Sequence, residues 1–490
     1  MTAPPEILPA RDRAVIVILL LSTFVVILNE TIMNVALPRL MTDLRVTAGT
    51  VQWLSTAFLL TMAVVIPVTG FLLQRLATRT VFLLAMGLFS VGTLLAALSP
   101  GFVPLLLARI VQATGTAIML PLLMTTVMTV VPERGRGAVM GNISIVISVA
   151  PALGPTISGL ILQGFSWRFL FAFVLPVALG ALAYGARVLT NVGTPRRLSL
   201  DLLSVPLSAL GFGGLVYALS RLGSAGGLGN PELSVPLAVG TLALAAFLWR
   251  QVALTRGGEP LLDLRALGRP MFALGVALMV IAMIALFGGA ILLPLYLQNL
   301  RGLSTLHTGL LLLPGGLVMG LLAPMIGRLY DRIGPRPLTL PGTILMAGVL
   351  LGLGRIDTGT PIWALLGLHM LLSVGLALLF TPVFTSALGA LPPALYSHGS
   401  AILGTMQQVA GAAGVALLVA LMAGRAATLG AAGVGAVAAQ IGGLHSAFTV
   451  AGMIAALAVP LALFLQRTPH AAPSHDRSLA SEGAAPQPGD

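Results

Sequence analysis

The chain has 490 residues, 57% hydrophobic and 8% charged, with a mean hydropathy of +1.02. Soluble domains carry about 25% charged residues, so a soluble globular fold is excluded. The formal charge of +12 comes from arginine alone, and with no cysteine in the sequence, disulfides, thiol chemistry and cysteine-ligated metals are excluded as well.

Apolar runs of about 20 residues, separated by short charged turns, describe an all-α polytopic membrane protein. Fourteen spans are expected. The first six lie near 14–37, 51–73, 81–98, 101–124, 138–163 and 168–189, followed by two near 201–220 and 233–252. The last six lie near 271–297, 305–329, 338–354, 361–381, 399–424 and 444–466. The first run follows Arg11 and Arg13, but it is too long for a signal-peptide core and is read as an uncleaved span. The segments 1–13 and 467–490, rich in Pro, Ala and Ser, are expected to be disordered tails.

Arginine placement sets the orientation. With the N-terminus inside, eighteen arginines fall on the cytoplasmic side and six outside, which puts both termini in the cytoplasm. Trp53, Trp167, Trp249 and Trp363 all fall at span ends, as an aromatic belt requires.

An internal repeat comes next. Gly70-Phe-Leu-Leu-Gln-Arg-Leu-Ala-Thr-Arg79 follows span two, and Gly327-Arg-Leu-Tyr-Asp-Arg-Ile-Gly-Pro-Arg336 follows span ten, 257 residues later (327 − 70). The first and ninth spans begin at the same offset (271 − 14). Two six-span bundles, 14–189 and 271–466, are therefore expected to flank a linker, 190–270, whose two extra spans are peripheral.

Of fourteen acidic residues only Glu30 lies well within a hydrophobic run, and Arg109 is the one arginine deep inside a span. At 1.5 Å per residue both lie roughly 12–14 Å below the outer surface, so the two charges could face each other. A charge near the bilayer centre costs about 2.5–3.5 kcal/mol on insertion scales and usually marks a pathway. Glu30 then reads as a carboxylate whose proton affinity changes as the protein alternates between the two sides. The alternative is a structural ion pair that only fixes helix packing.

Asn34, four residues from Glu30, and Gln112, three from Arg109, share their helix faces and are candidates for a substrate cavity, as are Gln407 and Gln408 in span thirteen. Each amide could instead join helices. Small residues at Ala150, Gly154, Ser158 and Gly159, with Pro151 and Pro155, mark a helix face in span five that allows close approach and bending. Span ten has a similar set at Pro314, Gly315, Gly316, Gly320 and Pro324. No G-x-x-x-x-G-K-[ST] stretch is present, so no ATP-driven pump is encoded, and neither H-E-x-x-H nor G-x-S-x-G occurs.

Together these stretches resemble the major facilitator superfamily, in its fourteen-helix drug:proton antiporter branch. Asn29-Glu30-Thr31-Ile32-Met33-Asn34-Val35-Ala36-Leu37-Pro38 is similar to that branch's first-helix motif, with Glu where many members have Asp. Its Asn-Glu-Thr also resembles the lincomycin-resistance-like members. Leu107 to Gly115 resembles the fourth-helix motif, Ala150 to Gly159 the antiporter motif of helix five, and Trp167-Arg168-Phe169 the opening of helix six.

The resemblance implies proton coupling by Glu30 and Arg109, with Gln112, and conformational roles for Gly154, Pro155 and Gly159. The two loop stretches resemble the superfamily's cytoplasmic latch, implying gating roles for Gly70, Arg75, Gly327, Asp331, Arg332, Gly334 and Arg336. The first copy departs from the pattern, with Gln74 for the usual Asp and Ala77 for Gly, which leaves an acid-based latch there in question.

The implied protein is a monomeric transporter of the bacterial inner membrane. It would export lipophilic drugs in exchange for protons and need no cofactor, nucleotide or nucleic acid. A symporter importing a solute and a non-transporting sensor are the alternatives. The repeat places Phe287 opposite Glu30 (30 + 257), which confines proton chemistry to the first half.

Overall fold

The computed structural model describes residues 9–192, 195–196, 199, 201–221, 229–256 and 259–466, apart from the side chains at 34, 35, 48, 134 and 305. The segment 467–490 and the Asn34 side chain thus lie outside the described residues. The first six helices are α1 (Ala10–Leu44), α2 (Ala48–Arg75), α3 (Thr78–Leu98), α4 (Phe102–Val130), α5 (Arg136–Gly164) and α6 (Arg168–Val188). Next come α7 (Ser204–Arg221) and α8 (Pro231–Leu254). The remainder are α9 (Pro270–Leu295), α10 (Thr305–Ile333), α11 (Arg336–Leu353), α12 (Ile362–Gly389), α13 (Tyr396–Ala431), α14 (Ala436–Ala456) and α15 (Ala458–Phe464).

Thirteen spans among the described residues, with α14 and α15 joined as one, are long and apolar enough to cross a membrane. The fourteenth expected span corresponds to α7, whose 18 residues include three serines, three glycines and Arg221 and so dilute its hydropathy. Most helices outrun the expected spans because polar and charged turns continue the backbone hydrogen bonding past the apolar run. Hence α1 begins at Ala10, inside the segment expected to be a disordered tail.

Local chemistry sets the ends. Thr47, Asn230 and Ser304 accept hydrogen bonds from backbone N–H groups at the starts of α2, α8 and α10. Gly334, at φ +81°, ends α10 in a conformation that a Cβ would strain.

Large apolar side chains point outward as well as inward. On α8, Leu242 is 71% and Trp249 73% exposed. A surface of this kind requires lipid rather than water around it. Trp363 also projects outward, as the belt reading requires, but Trp167 is fully buried, with its ring between Phe171 and the Arg168 guanidinium. Its indole therefore serves packing rather than the membrane interface.

Small residues decide where helices touch. α5 lies along α10, with Gly137 against Gly327, Gly141 against Ala323, Gly320 against Val149 and Gly316 against Ala152. A Cβ on any of these glycines would collide with its neighbour. α1 crosses α5 where Gly154 receives Thr31. α2 meets α13 at Gly70, against His398 and Ala401.

One of the two inserted helices differs from expectation. α8 is peripheral and packs on α7, but α7 itself is wedged against α2 and α13. Their ends are tied by Asp201, which accepts from Arg250 Nε and Nη2 at 2.7 Å each, and by Gln251, which donates to Ser204 at 2.7 Å. Hydrogen bonds from Arg250 outweigh the opposing effect of burial and, with Ser204, pull the Asp201 carboxyl down to about 2.

Because that value lies below the ordinary one for aspartate, the pair's stabilisation is present above about pH 4 and lost as pH falls through about 2. Asp201→Asn should lower the thermal midpoint of detergent-purified protein at pH 7, and the gap from wild type should close between about pH 4 and pH 2. A gap independent of pH would contradict this account. At the α5–α10 contact, Gly327→Ala should push the helices apart. The chain has no native cysteine, so a Ser144→Cys probe on buried α5 can be labelled alone. It should react faster with a hydrophilic thiol reagent when Gly327 is replaced than when it is present.

Candidate functional site

A cavity of about 560 Å³ lies among α1, α2, α4, α7, α9 and α13. Glu30 reaches it from α1 and Arg109 from α4, and Glu30 is the one carboxylate among its lining residues. The cavity runs toward the start of α2, at Gly49 and Gln52, and the end of α7, at Ser220 and Arg221.

Arg109 is 1% exposed and is held from two sides. Its guanidinium carbon lies 4.0 Å from the centre of the Phe58 ring, and Nη1 donates to Gln112 Oε1 at 2.5 Å. Gln112 in turn donates to Thr93 Oγ1 on α3 at 2.7 Å. α3 approaches closely there because residue 92 is glycine, where a Cβ would lie 2.5 Å from the Gln112 nitrogen. Arg109 Nε is buried without a hydrogen-bond partner among the described residues. Glu30 and Arg109 interact electrostatically, but no ion pair within 4.0 Å joins them. Glu30 therefore faces the cavity rather than being locked to Arg109.

The four expected cavity amides separate. Gln408 lines the cavity and reaches the Met62 sulfur at 3.3 Å. Gln112 does not line it: the residue is fully buried and spends its amide on Arg109 and Thr93. Gln407 lies off the lining, with its amide nitrogen buried and without a partner among the described residues. Asn34 lies in α1, and its side chain is outside the described residues. Phe287, the repeat counterpart of Glu30, also lines the cavity.

The opposite end is closed. Asp331 accepts from the backbone N–H groups of Gly137 and Ala138 at 3.0 Å each, at the start of α5, where the helix dipole favours a negative charge. Gln74 donates to Ala394 O at 3.2 Å and to Ser397 Oγ at 3.0 Å. Thr125 with Ser400, and Ser144 with Thr381, add hydroxyl contacts at 3.1 and 2.8 Å. Gly70, Gly327 and Gly334 belong to this end. Arg75, Arg332 and Arg336 are exposed there, with the Arg75 guanidinium 5.7 Å from the Phe71 ring centre. Pro155 packs near Gly309, while a Cβ on Gly159 would find ordinary contact with Leu306.

A profile of the Major Facilitator Superfamily matches residues 19–415. The chain belongs to this superfamily. It is 42% identical over 462 residues to the lincomycin resistance protein LmrB of Listeria monocytogenes, covering 93% of this chain and 97% of the relative. The LmrB of Bacillus subtilis is 40% identical over 410 residues, covering 84% and 85%. Two solved structures share the fold: the human organic anion transporter MFSD10, with a TM-score of 0.63 over 94% of this chain and 100% of that one, and the proton:xylose symporter XylE, with 0.64 over 91% and 95%. At 18% and 17% identity these likenesses concern the fold alone. This member of the superfamily is thus a membrane-embedded secondary transporter working by alternating access, not an enzyme.

Phe58, Thr93 and Gly92 carry no signal in an apolar sequence that separates them from their neighbours, except that Thr93 is a hydroxyl within a span. Their part in holding the transporter's buried arginine is open to test. Gln112→Leu removes the hydrogen-bonded support of Arg109 and should destabilise the purified protein by about 1–3 kcal/mol. A thermal midpoint equal to that of wild type would show that Phe58 alone suffices.

Proposed function

We propose that the chain is a proton-coupled antiporter that exports lipophilic small molecules across the bacterial inner membrane. The observation that carries this reading is the shared cavity of Glu30 and Arg109, in which Glu30 is the lining carboxylate. Arg109, buried and permanently charged, favours the ionised form of Glu30, while the apolar surroundings favour the neutral one. A small change in helix placement therefore changes proton affinity. Substrate and proton compete for one cavity, and that competition is the simplest coupling.

With both termini cytoplasmic, as the arginine distribution supports, the Asp331 end is cytoplasmic and the cavity faces outward. Glu30 would load a proton in this conformer. Opening the other end, by rocking the 14–189 bundle against 271–466 about the α5–α10 contact, would release the proton inside and admit substrate. One proton moving inward supplies about 2.3 kcal/mol per 100 mV of membrane potential. Similarity to lincomycin resistance proteins, and at 28% identity to a multidrug resistance protein B homolog of Mycobacterium tuberculosis, supports drug-like substrates.

Everted vesicles with an acid lumen test this. Lincomycin or a lipophilic dye added outside should dissipate the proton gradient only when the protein is present, and Glu30→Gln should abolish the effect at equal protein level. A symporter would leave the gradient intact. Dissipation by Glu30→Gln equal to that of wild type would remove Glu30 from the coupling.

A further inference from the structure

α7 does more than fill the linker. Over its last turn and a half, Val216, Tyr217, Leu219, Ser220 and Arg221 line the same cavity as Glu30. Its position there is built. Gly211 and Gly214 let α8 approach closely, Phe212 packs edge-on against Phe247 with centroids 5.9 Å apart, and Gly213 faces Val64 of α2. The Asp201–Arg250 and Gln251–Ser204 bonds fix the far ends of the same two helices. α8 thus braces α7 as a rigid wall against α2.

Four aromatic rings line the cavity. Phe58 is covered by the Arg109 guanidinium, and Phe287 lies against α13 at Gly411, where a Cβ would be 2.8 Å from its ring. The other two, Trp53 of α2 and Tyr217 of α7, stack with centroids 5.7 Å apart and planes at 27°. Trp53 is 39% exposed, so this pair presents aromatic surface at the mouth. Gln52, Ser55 and Thr56 on the same turn of α2 add hydrogen-bonding groups beside it.

We propose that α7 is a wall of the substrate site and that Tyr217, stacked on Trp53, is a specificity-determining residue for amphipathic substrates carrying a flat aromatic ring. The proposal rests on the reading of this cavity as the substrate site, and it deepens that reading by naming a substrate class. A flat ring gains offset or edge contact with the pair, and a substrate without one gains nothing from the tyrosine ring beyond its bulk.

Equilibrium binding to the purified full chain in lipid nanodiscs, with no proton gradient, tests it. Ethidium serves as the flat aromatic probe and lincomycin as a probe without an aromatic ring. Tyr217→Ala should weaken ethidium binding about threefold to tenfold, while Tyr217→Phe stays within about twofold of wild type. Lincomycin binding should move less than about twofold in both variants. Tyr217→Leu keeps the side-chain bulk without the ring and should match Tyr217→Ala, which covers the case in which the alanine variant fails to fold. Absence of saturable ethidium binding by wild type, an unchanged affinity in Tyr217→Leu, or equal losses for both probes would overturn the proposal. Because no gradient is used, failure of Glu30 as the proton carrier in vesicles leaves this result independent.

Discussion

The arrangement depends on keeping a guanidinium in the middle of an apolar bundle. Arg109 cannot shed its charge, so the helices around it must supply what water would. Phe58 offers a ring face from α2, Gln112 an amide from its own helix, and Thr93 anchors that amide from α3. Each contact demands a neighbour at a fixed distance, and Gly92 sits where α3 comes up against the backbone of Gln112. What the bundle leaves uncompensated is the positive field on the cavity side, and Glu30 lies in that field without being locked to Arg109. A direct ion pair would have bound the carboxylate in one state. Separation keeps it responsive to whatever enters the cavity.

The far end of the molecule is fastened twice, by related contacts of different chemistry. Gln74 and Asp331 are 257 residues apart (331 − 74), and so are their partners Gly137 and Ala394 (394 − 137). In one copy a carboxylate accepts from backbone N–H groups at a helix start, and in the other an amide donates to a carbonyl and a serine. An amide at residue 74, where the second copy has the acid Asp331, therefore keeps the contact in place but reverses the direction of the hydrogen bond. A charge-assisted bond to a helix N-terminus is stronger than an amide–carbonyl bond, so the two fastenings are unequal. The weaker one, between α2 and α13, is the easier to release.

Helices, their order and the two central charges were legible because each contrasts with its background: apolar runs against arginine turns, and Glu30 and Arg109 against apolar runs. The repeat was legible through spacing, which paired Glu30 with Phe287 but carried no sign that the phenylalanine lies on the cavity wall. Three things were not. Gln112 shares a helix face with Arg109, and that nearness is what withdraws it from the cavity, since the amide is spent on the guanidinium. Phe58, Trp53 and Tyr217 are aromatic residues in aromatic-tolerant spans, and only neighbours from other helices give them a task. α7 was expected to be peripheral because hydropathy reports whether a helix enters the membrane and is blind to what it lies against. Its glycines and serines, which lower its hydropathy, are also what let it wedge between α2 and α8.

Placement of the small residues indicates how the transporter can alternate. α5 and α10 meet at glycines from Gly137 and Gly327 at one end to Gly309 and Pro155 near the other, so their contact is continuous and suits a pivot. α2 and α13 meet closely toward the Asp331 end, at Gly70 and at Gly404 against Ile66, and beyond the Gln408–Met62 contact the cavity opens between them with α7 along its side. A closure that brings α2 and α13 together would therefore move them relative to α7. α7 is braced on α8 and touches both α2 and α13, so it cannot remain indifferent to that motion. α7, the inner helix of the inserted pair, thus lies against both helices that carry the weaker fastening, while α8 supports it from outside.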